Sequence, residues 1–367
     1  MKKRNYSIDA GSVGALKLPD IDYKPRLPKS YRPKIGLIGC GGITKTHLEA
    51  YRAGGLQVVD FCDKDVTRAK ERRDAFNPSA TFTDDFEETL AREDIEVVDI
   101  ATHPADRQSL IREALRAGKH VLSQKPFVLD LDAGEELVEL AREKAVRLAV
   151  NQNGRWAPHF SYIREAIRAG HIGEVLGVHM AVHWDHGWVA GTPFDKIDHL
   201  ILYDFAIHWF DALCTFLPDR TPKSVFATRT RASNQTAIPC LLAQALVEYD
   251  GAQASLVFDA STPFGGHDTT FVAGTKGSLR SEGPDLSHQH VTLTTEEGQG
   301  SPELEGSWFP GGFLGTMGEL LCSIEEDREP MNSAANNLKS LELAFAAMRS
   351  SEKGTSCQPG KVRQIKL

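Results

Sequence analysis

The sequence predicts an α/β protein: a doubly wound parallel sheet, followed by an α+β half built on a large, mostly antiparallel open sheet. Two patterns carry this. Between Lys34 and Val150, short apolar runs alternate with helical stretches, as parallel strands joined by crossover helices require. Beyond about residue 152, strand-like runs follow one another directly, with turn signals such as Asp250-Gly251 between them. At 367 residues the chain exceeds what one small core organises, which favours two domains.

Residues 1–33 carry Pro19, Pro25, Pro28 and Pro33 and no hydrophobic period, so they read as an extended arm. Such an arm is either frayed or strapped over a neighbouring surface, and Leu16, Leu18, Ile21, Tyr23 and Leu27 are its apolar anchors. Residues 34–152 read as a dinucleotide-binding domain. Its expected strands are 35–38, 56–62, 97–101, 120–123 and 147–150, and its expected helices 46–52, a charged one through Arg73, and 109–117 closed by Gly118. Residues 153–367 read as a substrate and oligomerisation domain, with strands at 175–184, 224–231, 243–249, 252–259 and 269–273 and helices around 204–216 and 338–350.

Composition narrows the partners. Lys and Arg number 42 against 50 Asp and Glu, a formal charge of −8 with no long basic run, so no nucleic-acid surface is expected. No eighteen apolar residues run together, and the basic start Met1-Lys2-Lys3-Arg4-Asn5 leads into no apolar h-region, so the expectation is a cytoplasmic protein without a membrane span. The six cysteines lack Cys-x-x-Cys spacing, which argues for reduced thiols, and His179, His183 and His186 do not reproduce a zinc spacing, so no metal is expected. What remains is a small-molecule ligand.

The motif Gly39-Cys40-Gly41-Gly42-Ile43-Thr44 lies between a predicted strand and a predicted helix, where glycines permit a tight turn and helix N-terminal amides can approach a pyrophosphate. Thr44 stands where the third glycine would be. Asp63 ends the second strand, 24 residues beyond Gly39, where an acid binds ribose hydroxyls and repels a 2′-phosphate. NAD is therefore favoured, while nearby Lys64 and Arg68 keep NADP open.

At the chemical end, Asp204 and His208 are spaced i, i+4, which on a helix puts both on one face. A histidine near a carboxylate can take a proton at neutral pH, as oxidation of an alcohol demands; the alternative is a capping Asp and a packed core His. Lys125 precedes Pro126 at the end of a predicted parallel strand, where ligands bind, and could stabilise a developing alkoxide. Its alternative is a solvated surface lysine.

Ala117-Gly118-Lys119-His120-Val121-Leu122-Ser123-Gln124-Lys125-Pro126 resembles the Ala-Gly-Lys-His-Val-x-x-Glu-Lys-Pro segment of the Gfo/Idh/MocA oxidoreductases. Asp204-x-x-x-His208, continuing into Trp209-Phe210-Asp211, resembles that family's second active-site helix, and Trp308-Phe309-Pro310 and 344–350 its C-terminal part. The resemblance covers about residues 34–350. It implies an N-terminal Rossmann domain and an NAD(P)-dependent dehydrogenase acting on a sugar or polyol, with Lys125, Asp204 and His208 catalytic. It further implies cofactor contacts from Gly39, Gly41, Gly42, Ile43, Thr44, Asp63, Lys64, Thr102, His103, Gln124, Lys125, Asn153 and Arg155. Trp156, Trp184, Asp185, His186, Trp188 and Trp308 are the expected substrate residues, since indole packs on sugar C–H faces while acids and amides meet hydroxyls.

Three positions depart from the family pattern. Gln124 replaces the Glu and so removes a negative charge beside Lys125, Arg107 stands where a histidine follows the third strand, and Ala206 where glycine is common. Two other readings come with the resemblance: a lyase or glycosidase that oxidises its sugar transiently, and a non-catalytic sugar sensor. An open sheet with one uncovered face also predicts a homodimer or homotetramer.

Overall fold

The computed structural model describes residues 14–366. Six strands, β1 (Lys34–Ile38), β2 (Gln57–Cys62), β3 (Thr81–Thr83), β4 (Ile95–Ile100), β5 (His120–Gln124) and β6 (Leu148–Asn151), form a wholly parallel sheet in the order β3-β2-β1-β4-β5-β6. The order reverses direction between β1 and β4, and the crevice beyond the carboxyl ends of those two strands is where such a sheet binds ligands. Edge strand β3, Thr81-Phe82-Thr83, was not among the expected strands because it has three residues and no apolar run.

The helices of this half are α1 (Thr44–Ala53), α2 (Val66–Phe76), α3 (Phe86–Ala91), α4 (Pro104–Arg116) and α5 (Leu131–Glu143). Asp65, Asp85, His103 and Asp130 cap α2, α3, α4 and α5 with their side chains, whereas α1 has no side-chain cap.

The second half begins with α6 (Pro158–Arg168), β7 (Val175–His183) and α7 (Ile207–Phe216). β8 (Pro222–Thr230), β9 (Leu242–Tyr249), β10 (Ala252–Asp259), β11 (His267–Gly274), β12 (Gly277–Gly283), β13 (His290–Thr295) and β14 (Gly298–Gly300) follow. Together with β7 they make one sheet in the order β14-β13-β12-β11-β7-β10-β9-β8, antiparallel except for the β7–β10 pair. The Asp250-Gly251 signal is a two-residue hairpin turn, with Gly251 at φ +68° and Tyr249 opposite Ala252. Along β9, Ala243, Ala245, Val247 and Tyr249 are buried while Gln244, Leu246 and Glu248 are exposed, the alternation of a sheet with one covered face.

Two long-range returns tie the halves together. Helix α8 (Gly311–Glu325) comes back to the first sheet, where Phe313, Met317, Leu320 and Leu321 share a core with Ile35, Leu37, Leu48 and Phe61. Helix α9 (Ala334–Lys353) packs beside α7 over the second. The described part of the arm is strapped down, and on its own chain. Leu16 N donates to Gln299 O at 2.8 Å, and Ser161 donates through Oγ to Tyr23 O at 2.6 Å. The Lys29, Ser30 and Tyr31 amides converge on the Glu325 carboxylate at 2.7–2.9 Å. All six cysteines are free.

Candidate active site

The glycine turn joins β1 to α1 and closes over the crevice. Gly39 has φ +94°, and a Cβ there would meet the Ala101 backbone at 2.9 Å, so only glycine fits. Gly41 and Gly42 face open space instead. Gly39 and Gly41 line a groove of about 620 Å³ together with Asp63, Lys64, Thr102 and His103. Asp63 is held at the rim, its carboxylate accepting the Cys40 amide at 2.7 Å and the Asp65 amide at 2.9 Å. Thr102 Oγ1 is buried in the groove wall without a partner. An uncapped helix N-terminus, an open glycine loop and a fixed acid at the second strand's end fit the diphosphate and ribose of a dinucleotide.

Beneath the groove lies a polar network that sequence reading missed. His47 of α1 places Nδ1 2.7 Å from Asp99 Oδ2, which also accepts the Tyr51 hydroxyl at 2.7 Å. His47 Nε2 meets Gln124 Nε2 at 3.1 Å and Asn151 Nδ2 at 3.2 Å. Both amides are oriented independently: Gln124 Oε1 accepts from Lys125 N at 2.7 Å and Asn151 Oδ1 from Thr316 Oγ1 at 2.8 Å. Their NH₂ groups therefore donate to His47 Nε2, which leaves Nδ1 as the donor to Asp99. The i, i+52 separation of His47 and Asp99 left no local signal.

This chain of bonds sets the position of Gln124 and the main chain of Lys125. Buried Arg107 braces the same segment, donating to Gln124 O and Thr102 O at 2.5 Å and to Pro126 O; burial brings its guanidinium down to about 10. Gln124 thus faces His47, not the Lys125 ammonium. The carboxylate expected to be missing beside Lys125 is supplied by Asp204, with Oδ1 3.3 Å from Nζ, and Nζ also donates to Asp204 O at 2.8 Å.

Asp204 does not sit on a continuous α-helix with His208. It belongs to a π-helical turn, Ile201–Phe205, that runs into α7. Its side chain pairs with Lys125, which corrects the expected Asp204–His208 couple. His208 is packed by its own surroundings: Trp308 lies edge-on with ring centroids 5.5 Å apart, and Nδ1 is buried without a partner. Burial, reinforced by the Lys125 charge, holds the imidazole well below its ordinary value, so it is neutral, with Nδ1 unpaired.

Lys125, Asp204 and His208 line one cavity of about 440 Å³ with Gln124, Asn153, Ile43 and the expected Trp184, His186, Trp188 and Trp308. The sequence missed Phe194, Phe205, Trp209, Leu286, Phe309 and Phe313, all of which also line it. They come from separate loops and helices, and nothing local distinguishes them from core aromatics. Burial pushes His186 down to about 4.

Several expected contacts lie elsewhere. Arg155 is turned to Asp211, with Nε–Oδ2 2.5 Å and Nη2–Oδ1 2.7 Å, and also donates to Met331 O and Asn336; it is a buried tie, not a cofactor contact. Trp156 is 4% exposed beneath Gly315, where an added Cβ would strike its ring at 2.1 Å, so it packs rather than binds substrate. Asp185 turns outward and accepts the Gly187 amide at 2.7 Å. Thr44 is buried and donates through Oγ1 to Gly41 O at 2.6 Å, bracing the glycine loop from behind, while Gly42 lies exposed at its tip.

Comparison with known proteins identifies the family. Residues 33–152 match the Gfo/Idh/MocA oxidoreductase family, NAD-binding Rossmann fold, and residues 160–280 match a C-terminal domain of the same family. The chain is similar to D-apiose dehydrogenase of Paraburkholderia graminis, 26% identical over 354 residues covering 89% of this chain and 90% of that protein. It is also similar to inositol 2-dehydrogenase of Rhizobium meliloti, 27% identical over 331 residues covering 86% and 96%. In fold it matches an oxidoreductase from Agrobacterium radiobacter solved with NAD+, L-tartaric acid and magnesium, with TM-score 0.81, 22% identity and 90% and 99% of the two chains covered. With both halves of the chain matched, this chain belongs to the Gfo/Idh/MocA family and is an NAD-dependent dehydrogenase.

Proposed function

We propose that the protein oxidises a secondary alcohol of a sugar, polyol or related carbohydrate derivative, and reduces the ketone in reverse. The observation that carries the reading is the convergence of Lys125, Asp204 and His208 on one cavity beside the glycine loop. A dinucleotide held at Gly39, Gly41 and Asp63 would supply the hydride acceptor for the substrate carbon. Neutral His208 takes the hydroxyl proton, which suits an imidazole kept uncharged by burial. Lys125 Nζ holds the same oxygen and offsets its developing charge, and Asp204 aims that ammonium from two oxygen atoms. Asn153 Nδ2, buried without a partner at the cavity wall, is a donor for a further hydroxyl or for the cofactor amide.

Asp63 supports NAD over NADP, because a carboxylate at the ribose position repels a 2′-phosphate; Lys64 reaches Asp106 at 3.7 Å, and Arg68 reaches Asp65 at 3.4 Å. An assembly of two or four copies is supported by the uncovered face of the second sheet. There Phe226, Leu246, Ser255, His179 and Phe271 are successive cross-strand partners and form one row. Phe226, Leu246 and Phe271 are 39%, 56% and 40% exposed. No helix among the described residues is long and apolar enough to cross a membrane.

Absorbance at the reduced-nicotinamide band across polyols, aldoses and their keto derivatives tests the reading. Net accumulation of NADH with a ketone product is expected. Turnover to an eliminated or hydrolysed product without net NADH would replace it with the transient-oxidation scheme, and no turnover on any member would point to a sensor.

A further inference from the structure

The polar and apolar linings of the cavity are segregated. Lys125, Asp204, His208, Gln124 and Asn153 gather at the end that meets β5 and β6. On the cofactor side, Phe313 lies tilted against His47 of α1, with ring centroids 4.4 Å apart and planes at 36°. The remaining wall belongs to the second half of the chain and is a run of rings in contact. Trp209 meets Trp184 at 5.8 Å, Trp184 meets His186 at 4.8 Å, His186 meets Trp188 at 6.0 Å, and Trp188 meets Phe194 at 5.6 Å. It extends from the buried floor, where Trp209 is 1% exposed, to the mouth, where Trp188 is 55% exposed. The polar atoms of the run are the indole N–H groups and the His186 ring, which burial keeps neutral; Trp209 Nε1 and His186 Nδ1 are buried without partners.

We propose that the alcohol is presented by a glycoside carrying an aromatic or similarly flat apolar aglycone, the sugar at the Lys125–His208 end and the aglycone along Trp188 and Phe194. This rests on the dehydrogenase reading and goes beyond it. A free polyol bears a hydroxyl on every carbon, and each one set against Phe194 or the face of an indole gives up its bonds to water and finds no acceptor or donor there, at roughly a tenfold loss in affinity apiece, while His186 Nδ1 and Trp209 Nε1, the unpaired groups of this wall, can each serve only one. An aryl group there loses nothing polar and gains offset or edge-to-face ring contacts. A half-exposed tryptophan at the cavity mouth, in line with buried rings that lead to the reacting groups, is surface that such a substituent covers.

Isothermal titration of the full chain with saturating NADH, using phenyl and methyl β-glycosides of glucose, galactose, xylose and mannose, tests the proposal. For at least one sugar the phenyl glycoside is expected to bind about tenfold or more tighter than its methyl counterpart. Trp188→Ala should bring that ratio to within about twofold of unity, and Phe194→Leu should lower it part of the way. A ratio near one for every sugar, a ratio that survives Trp188→Ala, or no binding of any phenyl glycoside overturns the proposal. The dehydrogenase reading fails separately: it stands if any sugar, methyl glycoside or polyol yields NADH without an aryl preference. It falls alone if the phenyl preference holds while no compound is oxidised.

Discussion

Two polar regions meet at Lys125 and are built on opposite principles. On the cofactor side, His47, Gln124 and Asn151 are buried, and their polar side-chain atoms bond one another, Asp99, Thr316 or the main chain. On the substrate side, His208 Nδ1, His186 Nδ1 and Asn153 Nδ2 are equally shielded from water and have no partner. A buried polar group left unpaired costs about 1–3 kcal/mol, so the first arrangement supplies rigidity and the second spends stability on groups reserved for a ligand. The difference teaches which residues should fail in catalysis and which in folding.

The largest expected effect is on the substrate side. His208→Ala and Lys125→Ala should each lower kcat by about 10²–10⁴-fold, with the double variant far from additive because both act on one oxygen and its proton. Their melting temperatures should stay near wild type. Thermal melts run beside steady-state kinetics check this, and joint loss of fold and activity would erase the contrast drawn above.

The cofactor side should behave in the reverse way. His47→Ala strands Asp99, Gln124 and Asn151 in a dry interior and should cost about 3 kcal/mol in urea denaturation, while NAD affinity falls less than stability. Gln124→Glu sharpens the test, since it sets an acceptor against His47 Nε2 and requires a proton there. That variant should be less stable than wild type in the same denaturation, because a buried carboxylate oxygen then faces the ring nitrogen that the Gln124 amide satisfies.

A third effect comes from Asp268 on β11, which is buried with both carboxylate oxygens unpartnered and is pushed up by burial to about 7. Its folded value exceeds its unfolded one, so the native state holds the extra proton. This stabilising contribution is complete at about pH 4 and is lost as pH rises to about 7. Asp268→Asn should flatten the stability curve across that window and be more stable than wild type at pH 8, by on the order of 2 kcal/mol. Equal pH dependence of the two proteins would mean that Asp268 is ionised and solvated in the fold.

The smallest effect concerns the groove. Asp63→Ala should narrow the preference for NAD over NADP by about tenfold or less, since one carboxylate at a solvent-facing rim contributes roughly 1 kcal/mol against a phosphate. Titration of both dinucleotides gives the answer, and an unchanged ratio would move the discrimination to Lys64 or Arg68.

The sequence by itself determined the features that rest on local chemistry. Alternating apolar runs located most strands of the first sheet, Asp250-Gly251 marked a hairpin, and the glycine turn, Lys125-Pro126 and the Asp204/His208 spacing marked three parts of one site. These are legible because periodicity, turn geometry and proline restriction act over a few residues. Tertiary structure decided what each long polar side chain touches. Asp204 serves Lys125 across 79 residues instead of His208 across four, Arg155 turns to Asp211 rather than a cofactor, Gln124 answers His47, and Glu325 gathers an arm almost 300 residues earlier in the chain. A buried charge or amide takes whichever partner the packed core brings within hydrogen-bond distance, and strand order and returning helices, not nearby sequence, set that distance.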